Sequence, residues 1–169
     1  MNRIIVATIV CTTLGFYLPV QRPAKSNESA VAAVLDDWHK AAAAADGDRY
    51  FGHLAADAVF LGTDATERWT REAFREYAKP HFAKGTGWSF KSKERHVSRS
   101  KDGSVAWFDE LLDTEKMGTC RGSGVLLIDG GRWKITQYNL SVPIPNEAFP
   151  DVKKIIDASL KAKPSDKKP

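Results

Sequence analysis

The chain has 169 residues, 25 Lys and Arg against 21 Asp and Glu, and is 43% hydrophobic and 27% charged. That length suits one domain with a real core, and the composition excludes wholesale disorder, a collagen-like chain and a polytopic membrane protein. The net charge of +4 belongs to the ends, since residues 1–24 carry +2, residues 151–169 carry +3 and the middle carries −1, so no nucleic-acid partner is expected.

Arg3 precedes Ile4 to Val20, a mostly apolar run diluted by Thr8, Thr12, Thr13, Gly15 and Pro19. The run is shorter than the ~20 apolar residues of a spanning helix. With its basic start it reads as a signal peptide over residues 1–24, which implies a periplasmic or secreted protein with no stable membrane insertion of the mature chain. An uncleaved anchor is the alternative, because Arg22-Pro23-Ala24 and Glu28-Ser29-Ala30 are both imperfect cleavage sites. Val10 stands before Cys11 where a lipobox needs a small residue, so lipidation is not expected. Removal of the signal leaves Cys120 alone, so stability must come from packing rather than from a disulfide.

Ser26-Asn27 can cap a helix carrying Val31, Val34, Leu35, Trp38, Ala42 and Ala45 at helical spacing, stopped by Asp46-Gly47. Asp48 caps a short second helix with Tyr50, Phe51 and Leu54. A buried strand follows over Ala58–Gly62, then a polar loop, Thr63 to Glu67. Thr70 caps a third helix with Phe74, Tyr77, Ala78 and Phe82 on one face, kinked or restarted at Pro80. From Trp88 the period becomes two. Trp88, Phe90, Ser92, Glu94, His96 and Ser98 alternate with a mostly basic set that should face water. Strands over Ser104–Asp113, Thr119–Ile128 and Arg132–Ser141 follow, the last two joined through Asp129-Gly130-Gly131, a strong hairpin signal. Phe149 to Leu160 reads as a short helix with Val152, Ile155, Ile156 and Leu160 on one side, before a lysine-rich tail. The domain thus spans 25–148, with the helix and tail over 149–169. No metal-ligand spacing and no cofactor motif is visible.

The run from Phe60 to Trp69, with Ala106 to Glu110, Arg121 to Leu126 and Trp133 to Ser141, resembles the SnoaL-like branch of the nuclear-transport-factor-2-like superfamily. The resemblance covers Glu28 to Glu147. It implies an α+β fold: a cone-shaped half-barrel with three N-terminal helices packed on a curved, largely antiparallel or mixed sheet. It further implies an apolar pocket at the open end and frequent homodimerisation. Ketosteroid isomerases, polyketide cyclases, dehydratases and epoxide hydrolases belong to that branch beside many proteins of no known activity, so the fold does not choose a reaction.

A turn closed between Asp113 and Gly118 sets Glu110 opposite Arg121 and Asp109 opposite Gly122, and the Gly130-Gly131 turn sets Gly124 opposite Gln137 and Gly122 opposite Asn139. One face then carries Val105, Trp107, Asp109, Leu111, Gly122, Gly124, Leu126, Ile128, Trp133, Ile135, Gln137 and Asn139. Being the more apolar, it is expected to be concave; a one-residue slip would exchange the faces. Glu94 beside Asp109 and His96 beside Trp107 complete the expected cavity, with Gly122 and Gly124 leaving space in front of Asp109. Asp109, His96 and Glu94 are the candidate acid–base residues, because two close carboxylates between apolar walls cannot both ionise cheaply. Trp38, Phe60, Trp88, Trp107, Gln137 and Asn139 are candidate ligand-binding residues, with Asp64 and Glu67 at the mouth, where turn chemistry is the competing role for Asp64. Glu110 and Arg121 are expected to pair on the outer face, and His39, His53 and His81 to lie at the surface. Three functions fit: an isomerase, cyclase or dehydratase acting without a metal, a non-catalytic pocket for a small apolar molecule, and a dimerising module with a closed interior.

Overall fold

The computed structural model describes residues 28–162, so the signal peptide expected over residues 1–24 and the last residues of the tail lie outside it. Helix α1 (Glu28–Ala43) is followed by α2 (Gly47–Gly52), which Asp46 rather than Asp48 caps by accepting the Arg49 N–H at 3.1 Å. Strand β1 (Leu54–Leu61) is longer than expected and turns back into β2 (Arg68–Thr70). The hydroxyl of Thr70 accepts from Ala73 N at 3.2 Å and so caps α3 (Arg71–Ala83), which continues past Pro80. Strands β3 (Lys91–Arg99), β4 (Val105–Thr114), β5 (Gly118–Asp129) and β6 (Arg132–Ser141) form a meander, and α4 (Phe149–Ala162) ends the described chain.

The six strands lie in the order β2-β1-β6-β5-β4-β3, antiparallel except where β1 runs parallel to β6. The sheet curves without closing and holds the helices in its concave side, the α+β cone that the sequence resemblance implies. Val31, Leu35, Trp38 and Ala42 of α1 and Tyr50 and Phe51 of α2 meet Phe108, Leu112, Leu126, Ile135 and Tyr138 of the sheet in one core. Burying such side chains is the main favourable term in a single-cysteine domain of this size. None of the residues of α4 is buried, so its apolar side lies in the open.

The β4–β5 register differs from expectation by one residue. Thr114 pairs with Gly118, leaving a three-residue loop. Gly118 has φ +69, a left-handed conformation natural to glycine, and thereby opens β5 instead of finishing the turn. Glu110 consequently faces Gly122 rather than Arg121, and Asp109 faces Ser123. Because side chains alternate, the slip exchanges the faces of β4: Ala106, Phe108, Glu110 and Leu112 point into the core, whereas Trp107 and Asp109 are exposed on the convex side. The Gly130-Gly131 hairpin pairs Ile128 with Trp133 and Leu126 with Ile135 as expected. A bulge beyond Leu126 then admits one extra residue on β6, which turns Tyr138 and Leu140 inward and carries Gln137 and Asn139 to the other face. On β3, too, the faces are reversed. Arg95, Val97 and Arg99 are half-buried, and Glu94 and His96 are exposed.

Candidate functional site

Two hollows with Phe60, Trp88 and Phe90 in both linings lie at the open end of the cone. The outer one, about 210 Å³, lies between β1, α3 and the segment before β3, with Phe60, Trp69, Phe74, Tyr77, Trp88 and Phe90 among its walls and Glu67 at its rim. The inner one, about 10 Å³, shares Phe60, Trp88 and Phe90 with it and is completed by Trp38, His39, Tyr50 and Tyr138. That space suits about one water molecule. Phe60 stacks on Phe74 at 4.1 Å, and Trp38 packs between Tyr50 at 4.9 Å and Tyr138 at 4.6 Å, so the walls are interlocked rings. A wider groove of about 500 Å³ between α2 and α3 faces solvent on the outside of the helices and is separate from these hollows.

Behind the inner hollow lies the one carboxylate among the buried residues, Glu110, only 1% exposed. His39 Nε2 lies 2.7 Å from Glu110 Oε1, and Arg95 Nε donates to Glu110 Oε2 at 2.8 Å. Arg95 also donates to Asp36 Oδ1 at 2.7 Å and to the Ala32 carbonyl at 3.2 Å, which ties β3 and β4 to α1. Burial by itself would raise the Glu110 carboxyl pKa; the His39 hydrogen bond and the charges of His39 and Arg95 outweigh it and hold the group below its ordinary value. An ionised carboxylate only accepts, so Nε2 of His39 carries the hydrogen of this bond. Arg95 is shifted upward, burial being outweighed by Glu110 and Asp36. Tyr138 is pushed well up by burial and by Glu110, and its hydroxyl and the Trp38 indole N–H are buried without a hydrogen-bond partner.

The side chains named as acid–base candidates do gather, but outside the cone. His96 lies opposite Asp109 in the β3–β4 ladder and is hydrogen-bonded to Glu94 at 2.9 Å, all three on the exposed convex face. Trp107 is there as well, 48% exposed, and Gln137 and Asn139 of β6 share that face two strands away, across Val125 and Ser123 of β5. The space expected before Asp109 is filled on the other side: a Cβ at Gly122 would come within 2.5 Å of the Tyr138 hydroxyl and 3.2 Å of Glu110 Cγ. Trp38, Phe60 and Trp88 do line the hollows. Glu67 reaches the rim, whereas Asp64 accepts from Thr66 N and Oγ1 within its own loop at 2.9 and 2.6 Å.

His39, Glu110 and Arg95 were not among the candidates. His39 follows Leu35 by four residues and Val31 by eight, a helical spacing that places it on α1's buried face; it is 7% exposed rather than at the surface. Glu110 alternates with Phe108 and Leu112, but Trp107, Asp109 and Leu111 form an equally plausible inward set, and the turn alone chooses between them. His53 sits 2.8 Å from Asp37, which Arg49 also grips, so it is partly buried at the end of α2. His81 is exposed, as expected.

The sequence profile of the SnoaL-like domain matches residues 31–145, well over half the chain. The chain belongs to the SnoaL-like family. No curated protein sequence matches it. Among solved structures, this SnoaL-like chain is similar to an NTF2-like protein of unknown function from Pseudomonas putida, at 17% identity, 72% of this chain, 89% of that one and a TM-score of 0.60. A proposed scytalone dehydratase from Novosphingobium aromaticivorans has 11% identity, coverages of 69% and 83%, and a TM-score of 0.58. A proposed ketosteroid isomerase from Shewanella frigidimarina has 22% identity, coverages of 68% and 96%, and a TM-score of 0.53. At these identities the likeness is one of fold.

Proposed function

We propose that the protein binds a small, predominantly apolar molecule in the aromatic hollow at the open end of the cone. The observation that carries this reading is the outer hollow itself, about 210 Å³ walled by Phe60, Trp69, Phe74, Tyr77, Trp88 and Phe90, with Glu67 as its one charged lining residue among the described residues. Such concave apolar spaces with few polar groups are the usual form of a small-molecule site. Titration with hydroxylated and unsubstituted bicyclic aromatics, followed by tryptophan fluorescence, tests it. Saturable quenching that Trp88→Ala weakens about tenfold is expected, and quenching that is unsaturable, or identical in the variant, would reject the reading.

A second reading, acid–base turnover of that ligand, is favoured by the His39–Glu110 pair. Glu110 orients the ring, and His39, which lines the inner, water-sized hollow, acts as the base through one water, taking a proton from a carbon or hydroxyl beside a carbonyl and returning it elsewhere. His39→Gln can keep a donor toward Glu110 while removing the base; ligand binding without turnover is the expected result, and unchanged turnover would exclude the role. We also propose export, testable by N-terminal sequencing of the secreted protein, and homodimerisation through the convex face. There Trp107 pairs with Val125, and Val105 with Leu127, in an apolar patch that includes exposed Trp107 and Leu127.

A further inference from the structure

We infer that the ligand of the outer hollow is an organic cation, an alkylated ammonium group carried on an apolar body; this rests on the small-molecule reading above. The hollow has aromatic rings on several sides: Phe60 and Phe74 stack at 4.1 Å, Trp69 and Tyr77 lie 5.2 Å apart, and Trp88 faces Phe74 at 5.8 Å. Ring faces carry negative potential and attract a cation held over them, most strongly where water is excluded. The thioether of Met117 adds a soft, polarisable surface.

The charge of the lining points the same way. Among the described residues, Glu67 is the only charged one in the wall, and no Lys, Arg or His lies there. Glu67 is half-buried, accepts the Asp64 N–H at 3.2 Å, and forms no ion pair within 4.0 Å among the described residues. It differs in this from Glu110, which pairs with the Arg95 guanidinium, and from Asp37, which pairs with that of Arg49. A carboxylate without a countercharge at the rim of a ring-lined hollow repels an anionic ligand and favours a cationic one. The lone acid would sit beside the ammonium group while the rings take the alkyl groups and the apolar body.

The test compares benzyltrimethylammonium with neopentylbenzene, its uncharged isostere, by calorimetric and tryptophan-fluorescence titration of the full chain at one fixed ionic strength. The cation is expected to bind about tenfold more tightly. In Glu67→Gln, checked for native circular dichroism, that preference should fall to roughly threefold or less while the isostere's affinity stays the same. Equal binding of the two probes, or a preference that Glu67→Gln leaves intact, would overturn the cation inference and leave the small-molecule reading standing. Binding of neither probe would overturn both.

Discussion

A carboxylate buried as deeply as Glu110 is tolerated because His39 meets one of its oxygens and Arg95 the other, and removing it strands the partners. Glu110→Gln leaves the Arg95 guanidinium, with side chain 11% exposed, facing a neutral amide. The loss expected is about 3 kcal/mol, measured by urea unfolding at neutral pH. The pH dependence follows from the sign of the shift. A carboxyl held below its ordinary value of 4.5 stabilises the fold in full above that value and loses its contribution as the pH falls through the lower, folded-state value. Wild-type stability should therefore drop on the acid side, and the drop should be shallower in Glu110→Gln. Asp37, lowered chiefly by its hydrogen bond with Arg49, titrates in the same direction and leaves a residual acid slope in that variant. None of this was visible at Glu110 itself, which in sequence is one acid beside another, Asp109.

At the scale of elements, helices were the more legible. Their caps and 3.6-residue spacing are local, so α1, α2 and α3 appear close to where Trp38, Tyr50, Phe51 and Phe74 imply them. Strand β2 was missed, being three residues long and lying between a polar loop and a helix cap. The strands of the meander were also found, but their faces hung on the Thr114–Gly118 turn. Thr114 Oγ1 accepts from Lys116 N at 3.3 Å and Met117 N at 3.4 Å, which draws Thr114 into the ladder and shortens the loop. Gly118→Ala, placing a Cβ on a residue at φ +69, is expected to destabilise the protein by about 1 kcal/mol and lower its thermal midpoint. Gly52→Ala, where a Cβ meets nothing within 4 Å and the backbone is ordinary, is the matching control and should show no loss.

For the whole molecule, the curved sheet separates two environments that the same strands supply in alternation. The concave side holds the core, the aromatic hollow and the His39–Glu110–Arg95 network, and the convex side shows Trp107, Asp109 and His96. If convex faces pair in the homodimer proposed, Trp107→Glu buries like charges without partners at the contact. Sedimentation velocity should then show monomer for the variant and dimer for the native chain, and an unchanged distribution would exclude this face. The sequence alone was enough for the family, through the resemblance carried by the runs from Phe60 to Trp69 and from Trp133 to Ser141, and for the order of the elements, the near-neutral charge of the domain and the aromatic character of the interior, which follow from composition and local periodicity. Which carboxylate went inside was decided only by tertiary structure. One residue in a turn and one bulge reverse every side chain beyond them, and burying Glu110 becomes affordable only when a helix 71 residues away brings His39 against it.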